Sequence, residues 1–159
     1  MSKTRLLGVA VLAGLLSGAA APAPEAQPGV LLDTIRANRK ALVAVNLELS
    51  GEEAGKFWPL YERYQNEINP IGDRVAALIE DYRASFRDLS DDKALKLMDD
   101  YLAAEAERNQ VRRTYLGEFA KILPGRTVAR LYQIENKMDA VLRYDLAASI
   151  PVVDEKATR

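Results

Sequence analysis

The chain has 159 residues, 48% of them hydrophobic and 28% charged, with a formal net charge of -1. That is room for one compact domain, in a mixture that excludes wholesale disorder and shows no electrostatic footprint for nucleic acid. There is no cysteine and no histidine, which excludes disulfide staples, thiol chemistry and the commonest neutral-pH general base and transition-metal ligand.

The first predicted element is an export signal. Lys3 and Arg5 precede an apolar run from Leu6 to Leu16, broken only by Gly8 and Gly14, and the small residues Ser17-Gly18-Ala19-Ala20-Ala21 follow. This order is that of a secretory signal peptide. The run is about half the ~20 residues of a membrane-spanning helix. Residues 1–20 are therefore expected to be removed, with cleavage after Ala20 or as late as Ala26, leaving no segment inserted in the membrane. Residues 21–30 hold Pro22, Pro24, Pro28 and Gly29 and read as a flexible leader.

From 31 to 150 the pattern is helical, with no alternating strand signal. A first helix is expected over 31–46, with Leu32, Ile35, Leu42 and Val45 facing inward and Arg36, Arg39 and Lys40 facing out. Ser50-Gly51-Glu52-Glu53 is a capping box for the second helix: the Ser50 hydroxyl accepts the Glu53 N–H and the Glu53 carboxylate reaches back. Apolar residues then fall at Phe57, Tyr61, Tyr64, Ile68, Ile71, Val75, Leu78 and Tyr82, with Leu89 in phase. Alternating steps of four and three make a heptad seam, suited to packing lengthwise against a partner helix. Pro59 and Pro70 lie inside it, and since the phase survives both, bends rather than breaks are expected.

Ser90, followed by Asp91 and Asp92, is expected to cap a third helix. Its apolar contacts are expected from Leu95, Met98 and Leu102 at one end and Leu116, Phe119 and Leu123 at the other. The middle, Glu105 to Arg113, lacks a stripe and reads as a solvent-bridging or partner-binding surface. Pro124 is expected as the first residue of a fourth helix, carrying Val128, Leu131, Tyr132, Met138, Leu142 and Leu146 inward and ending before Pro151. Residues 151–159 are expected to fray. The fold class is all-α: four helices arranged as two long bent hairpins.

The helix starts carry a resemblance. Leu49-Ser50-Gly51-Glu52-Glu53, then Phe57-Trp58-Pro59-Leu60-Tyr61, resembles the first signature of the Spy/CpxP superfamily of bacterial periplasmic proteins, whose repeated element is Leu-Thr-x-x-Gln. Leu123-Pro124-Gly125-Arg126-Thr127 sits where the second copy falls. Neither element keeps the Gln, and Pro124 stands in place of Thr. The family positions are thus Leu49, Ser50, Glu53, Phe57, Pro59, Tyr61, Leu123 and Pro124. The resemblance implies a periplasmic location and a four-helix cradle that dimerises by antiparallel coiled-coil packing. It also implies ATP-independent chaperoning of non-native proteins in the envelope stress response, or docking on the periplasmic domain of a sensor kinase. A structural helical envelope protein is the third reading. The family's zinc-binding branch uses histidine, which this chain lacks, so no cofactor or metal is expected.

The residue inventory points to binding rather than catalysis. Trp58 is a candidate protein-binding anchor, set against plain packing on the first or fourth helix. Tyr61, Tyr64 and Tyr82 read as core from their spacing, while Tyr101 and Tyr115 lie off the third helix's main stripe and read as surface candidates. Arg108, Arg112 and Arg113 form one basic patch and Arg126 and Arg130 another. Each is suited to acidic segments of a partner, or else to solvated pairing with Glu105, Glu107 and Asp100. Glu135 and Asp139 are four apart on one helix face, but nothing nearby in sequence supplies the further ligands or apolar pocket that acid–base work requires.

Overall fold

The computed structural model describes residues 28–153, excluding the side chains of 28–32, 36 and 149. The expected signal peptide, residues 21–27 of the expected leader and residues 154–159 of the expected tail lie outside the described residues. So do the side chains of Leu32 and Arg36.

Four helices account for nearly everything described: α1 (Pro28–Asn46), α2 (Gly51–Ser85), α3 (Asp91–Ala120) and α4 (Gly125–Ser149), with a single 3-10 turn, Phe86–Asp88, between α2 and α3. The all-α class holds. α1 begins three residues earlier than expected, so Pro28, Gly29 and Val30 belong to it and not to a leader. Proline suits a first helical position, where its missing N–H costs nothing.

The capping box at Ser50 forms as read. Its hydroxyl accepts the Glu53 N–H at 3.3 Å and its own N–H donates to the Glu53 carboxylate at 2.8 Å. These hydrogen bonds hold the Glu53 carboxyl below its ordinary value. α2 then runs unbroken through Pro59 and Pro70. Both prolines are exposed, as are Gly55 and Asn66 four residues before them. The carbonyls that lose a partner therefore face water, which replaces it. Leu89 lies beyond the end of α2, between the 3-10 turn and the Ser90 cap of α3, and so does not extend the seam. At α4, Pro124 is the cap residue and not the first helical one: its carbonyl accepts the Val128 N–H at 3.0 Å, and Gly125 opens the helix.

Side-chain pairs fix the topology. Lys40 on α1 meets Glu62 on α2, and Arg74 on α2 meets Glu107 on α3. Arg143 on α4 meets Glu105 on α3, and Arg39 on α1 meets Glu135 on α4. Each helix is therefore antiparallel to its two neighbours, in the cyclic order α1, α2, α3, α4 of an up-down bundle. The α2–α3 hairpin is the most extensive interface, and α3–α4 the slightest.

The main core lies where α2 meets the other three. Phe57, Leu60, Tyr61 and Tyr64 pack with Val43, Leu47, Tyr115, Phe119, Leu123, Val128, Leu131 and Met138. The first half of the α2 seam, Phe57, Tyr61 and Tyr64, is satisfied within this one chain, whereas Val75, Leu78 and Tyr82 border an open groove. Phe57 lies 5.7 Å from Phe119, and Tyr64 lies 5.2 Å from Tyr115, centroid to centroid.

Two inward faces differ from expectation. On α1 the buried row is Arg39 and Val43, continued by Leu47 just past its end, with Ile35 half-buried, while Leu42 is exposed and Val45 is 82% exposed. Arg39 thus points in, where the sequence reading placed it outside. Lys40 is exposed as expected. On α3 the buried residues are Leu97, Ala104, Tyr115 and Phe119. Leu95 (71%), Met98, Leu102 and Leu116 are exposed instead. Leu97 and Leu95 are both leucines two residues apart, on different sides of a helix, and only packing against α2 selects one. Among the described residues, no helix is long and apolar enough to cross a membrane.

Candidate functional site

Two features have the makings of a site: a buried charge cluster at the centre of the bundle and an apolar groove beside it.

The charge cluster joins all four helices. Arg39 of α1 donates from one guanidinium nitrogen to Glu135 and from the other to Asp139 at 2.8 Å, both on α4. Tyr61 of α2 donates its hydroxyl to the second Glu135 oxygen at 2.6 Å. Arg112 of α3 reaches Asp139 at 3.5 Å and also bonds Asn136. Tyr132 returns a hydroxyl to the Arg112 carbonyl at 2.5 Å and lies under the Arg112 guanidinium. Arg39 and Glu135 are 8% and 2% exposed.

Burial and charge shape the protonation of this group. Burial disfavours the Arg39 cation, but Glu135 and Asp139 outweigh it and hold its pKa above the ordinary value. Burial pushes the Glu135 carboxyl up, with Arg39 and Tyr61 only partly restoring the anion. Burial likewise raises the Tyr61 and Tyr64 phenols, Glu135 adding to both, and pushes Tyr132 up to about 12. Because the folded Glu135 value lies above the unfolded one, its share of stability is fully present below about pH 4.3 and is lost as pH rises through the raised value. Glu135→Gln is expected to remove that dependence. In urea melts at about pH 4 and about pH 7 the variant should compare more favourably with the parent at the higher pH. An unchanged difference between the two would contradict the assignment.

Both Glu135 oxygens are engaged and Glu135 itself is buried, so the cluster works as a clasp between the helices.

The groove opens where α3 and α4 separate over the surface of α2, with a volume of about 530 Å³. Its floor is Val75, Ala76, Ile79 and Tyr82, and its walls include Leu97, Met98 and Tyr101 of α3 and Leu142 and Leu146 of α4. Tyr82 donates to the Pro151 carbonyl at 2.6 Å and stands at one end. So Pro151 to Val153, expected to fray, line the groove. At the other end stand Glu105, Arg108 and Arg143. Leu95 and Leu102, outside the groove, join its wall residue Met98 in an exposed apolar stripe on α3, spaced three and four residues apart on one face.

The predicted site residues divide between these features and the core. Tyr101 and Arg108 line the groove. Arg112 turns into the charge cluster, so the basic patch of Arg108, Arg112 and Arg113 is split, and only Arg113 is exposed. The segment from Glu105 to Arg113 is therefore not a free polar face: it is paired with α2 through Glu107 and with α4 through Glu105 and Arg112. Tyr115 is not a surface residue. It is 6% exposed, stacks among Tyr64 and Phe119, and donates to Glu67 at 2.7 Å; burial and that bond push its phenol up to about 12.

Trp58 is half-buried, edge-on to Phe57 and Tyr61, with the Lys40 ammonium 5.4 Å from its ring, which is packing against α1. Arg126 is exposed, and Arg130 donates from Nε to the Asn46 carbonyl at 2.7 Å, closing the end of α1. Of the family positions, Phe57, Tyr61 and Leu123 are buried and Leu49 packs against them, while Pro59 and Pro124 are exposed.

Sequence reasoning missed Arg39 and the role of Glu135. A signal existed. Glu135 falls in step with Val128, Leu131, Met138 and Leu142, and Arg39 in step with Ile35 and Val43, so each apolar face carries one charge of opposite sign.

The fold and these features define a class: a helical bundle with a locked ionic centre and an open apolar groove. Comparison with protein-family models gives no match, and neither do comparisons with characterised proteins and with solved structures.

Proposed function

We propose that this protein is a periplasmic, Spy/CpxP-like binding protein that holds apolar segments of non-native envelope proteins without ATP and without chemistry. The observation that carries this reading is the exposed stripe Leu95, Met98 and Leu102 running along the mouth of an apolar groove. Contiguous exposed apolar surface on a soluble domain marks a place where another molecule docks. Flexible methionine and leucine side chains suit many partners better than one. The polar middle of α3 is consumed by pairing with α2 and α4, so client contact falls to the apolar half of that helix. A homodimer of two such chains would use surfaces other than the first half of the α2 seam, Phe57 to Tyr64, which is already covered within the chain.

The test is light scattering of two unrelated aggregating proteins with the purified protein present. Suppression of both is expected near stoichiometric ratios, and Met98→Asp should weaken it severalfold while the helical circular dichroism stays unchanged. A folded protein that suppresses neither would sink the chaperone reading. It would leave docking on one dedicated partner, such as the periplasmic domain of a sensor kinase, as the reading to pursue.

A further inference from the structure

The groove has a polarity that capture of protein segments does not require: its charges are gathered at one end. Arg143 is bound to one Glu105 oxygen at 2.5 Å, and Arg108 Nε lies 3.8 Å from the other. The buried Arg108 Nε–H has no hydrogen-bond acceptor. Asp139, one turn from Arg143, is committed to Arg39 and Arg112. One carboxylate between two guanidiniums leaves a positive charge unmatched at the end of an otherwise apolar channel.

We propose that the groove is a binding site for a long-chain carboxylate of the free fatty acid type. The acyl chain lies along α2 toward Tyr82, and the carboxylate sits against Arg143, beside the Glu105–Arg108 contact. The 530 Å³ of the groove falls within the roughly 300–1,000 Å³ of small-molecule sites, which form between the helices of bundles. From Gly72 to Tyr82 the floor extends about 15 Å at the helical rise, a length suited to an extended acyl chain. At the far end stand Tyr82 and Pro151, bonded to each other, with the Val153 side chain beside them, an apolar surface for the end of the chain.

At the near end a ligand carboxylate shares the half-exposed Arg143 with Glu105 and balances the charge that one carboxylate beside two guanidiniums leaves. Charge-assisted hydrogen bonds of this kind are the strong ones. A polypeptide would fit the interior poorly, because its backbone N–H and C=O groups would be buried against side chains that offer few partners. This goes beyond the chaperone reading and stands or falls separately from it.

The experiment is calorimetric titration of the purified protein with palmitate below its aggregation limit, compared with methyl palmitate. Saturable binding of the acid is expected, with the ester weaker by about tenfold or more. Arg143→Gln should erase most of that preference while retaining residual binding of both. Ala147→Trp fills the groove from an exposed position and should weaken palmitate at least about tenfold without loss of helical signal. Equal affinity for acid and ester, undiminished binding by folded Ala147→Trp, or no binding of palmitate at all would each overturn the proposal. Aggregation suppression can persist in every one of those cases, so the two readings fail independently.

Discussion

Arg39→Leu is expected to lower the free energy of unfolding by about 3–5 kcal/mol, the usual cost of leaving one member of a buried ion pair without its partner. Among the described residues, Arg39 is the one cation bonded to Glu135, whose other oxygen accepts from Tyr61. Without the guanidinium, a carboxyl already pushed up by burial loses its main counter-charge. The double variant Arg39→Leu/Glu135→Leu should recover much of the loss, because the clasp then becomes an apolar contact of similar volume. Urea denaturation of the two single variants and the double measures the coupling directly. A loss below about 1 kcal/mol for Arg39→Leu would put the pair in the class of exposed salt bridges and refute its role as the ionic centre of the bundle.

Phe57→Ala is expected to cost about 3–5 kcal/mol, the range for removing a buried aromatic ring. Phe57 is fully buried, and its ring lies 4.9 Å from Trp58, 5.3 Å from Tyr61 and 5.7 Å from Phe119. Its loss opens a cavity at the junction of the α2–α3 hairpin with α1 and α4. Trp58 is the only tryptophan, so its emission reports the same event and should shift as the neighbouring ring goes. Val45→Ala on the exposed side of α1 should stay within about 0.5 kcal/mol of the parent. A Phe57→Ala loss no larger than that of Val45→Ala would contradict the core described for α2.

The legible parts of the fold are those written in local chemistry. The Ser50–Glu53 capping box, the Ser90 cap and the first half of the α2 seam each rest on residues a turn or two apart, and each forms as read. The α4 stripe of Val128, Leu131, Met138, Leu142 and Leu146 is buried for the same reason. α1 and α3 were harder to read because both offer more than one plausible face. On α3, Leu95, Leu97, Met98 and Leu102 present two competing stripes. Rules of composition place a lone arginine outside, so they send Arg39 to solvent until Glu135 is known to stand opposite it. Tyr115 was misplaced by the same ambiguity, its ring lying in step with Phe119 but off the stripe drawn through Leu95 and Leu102.

The sequence by itself determined that this protein is helical, where α2 and α3 start and that it carries no cysteine or histidine chemistry, because capping, periodicity and composition are properties of neighbouring residues. Only the tertiary structure decided which face of α1 and α3 turns inward. It alone brought Arg39, Tyr61, Arg112 and Glu135 together, and opened a groove where α3 and α4 part over α2. Those outcomes depend on desolvation and packing between residues as far apart as Arg39 and Glu135, 96 positions along the chain, and no local pattern encodes the energy of a contact with a partner that distant.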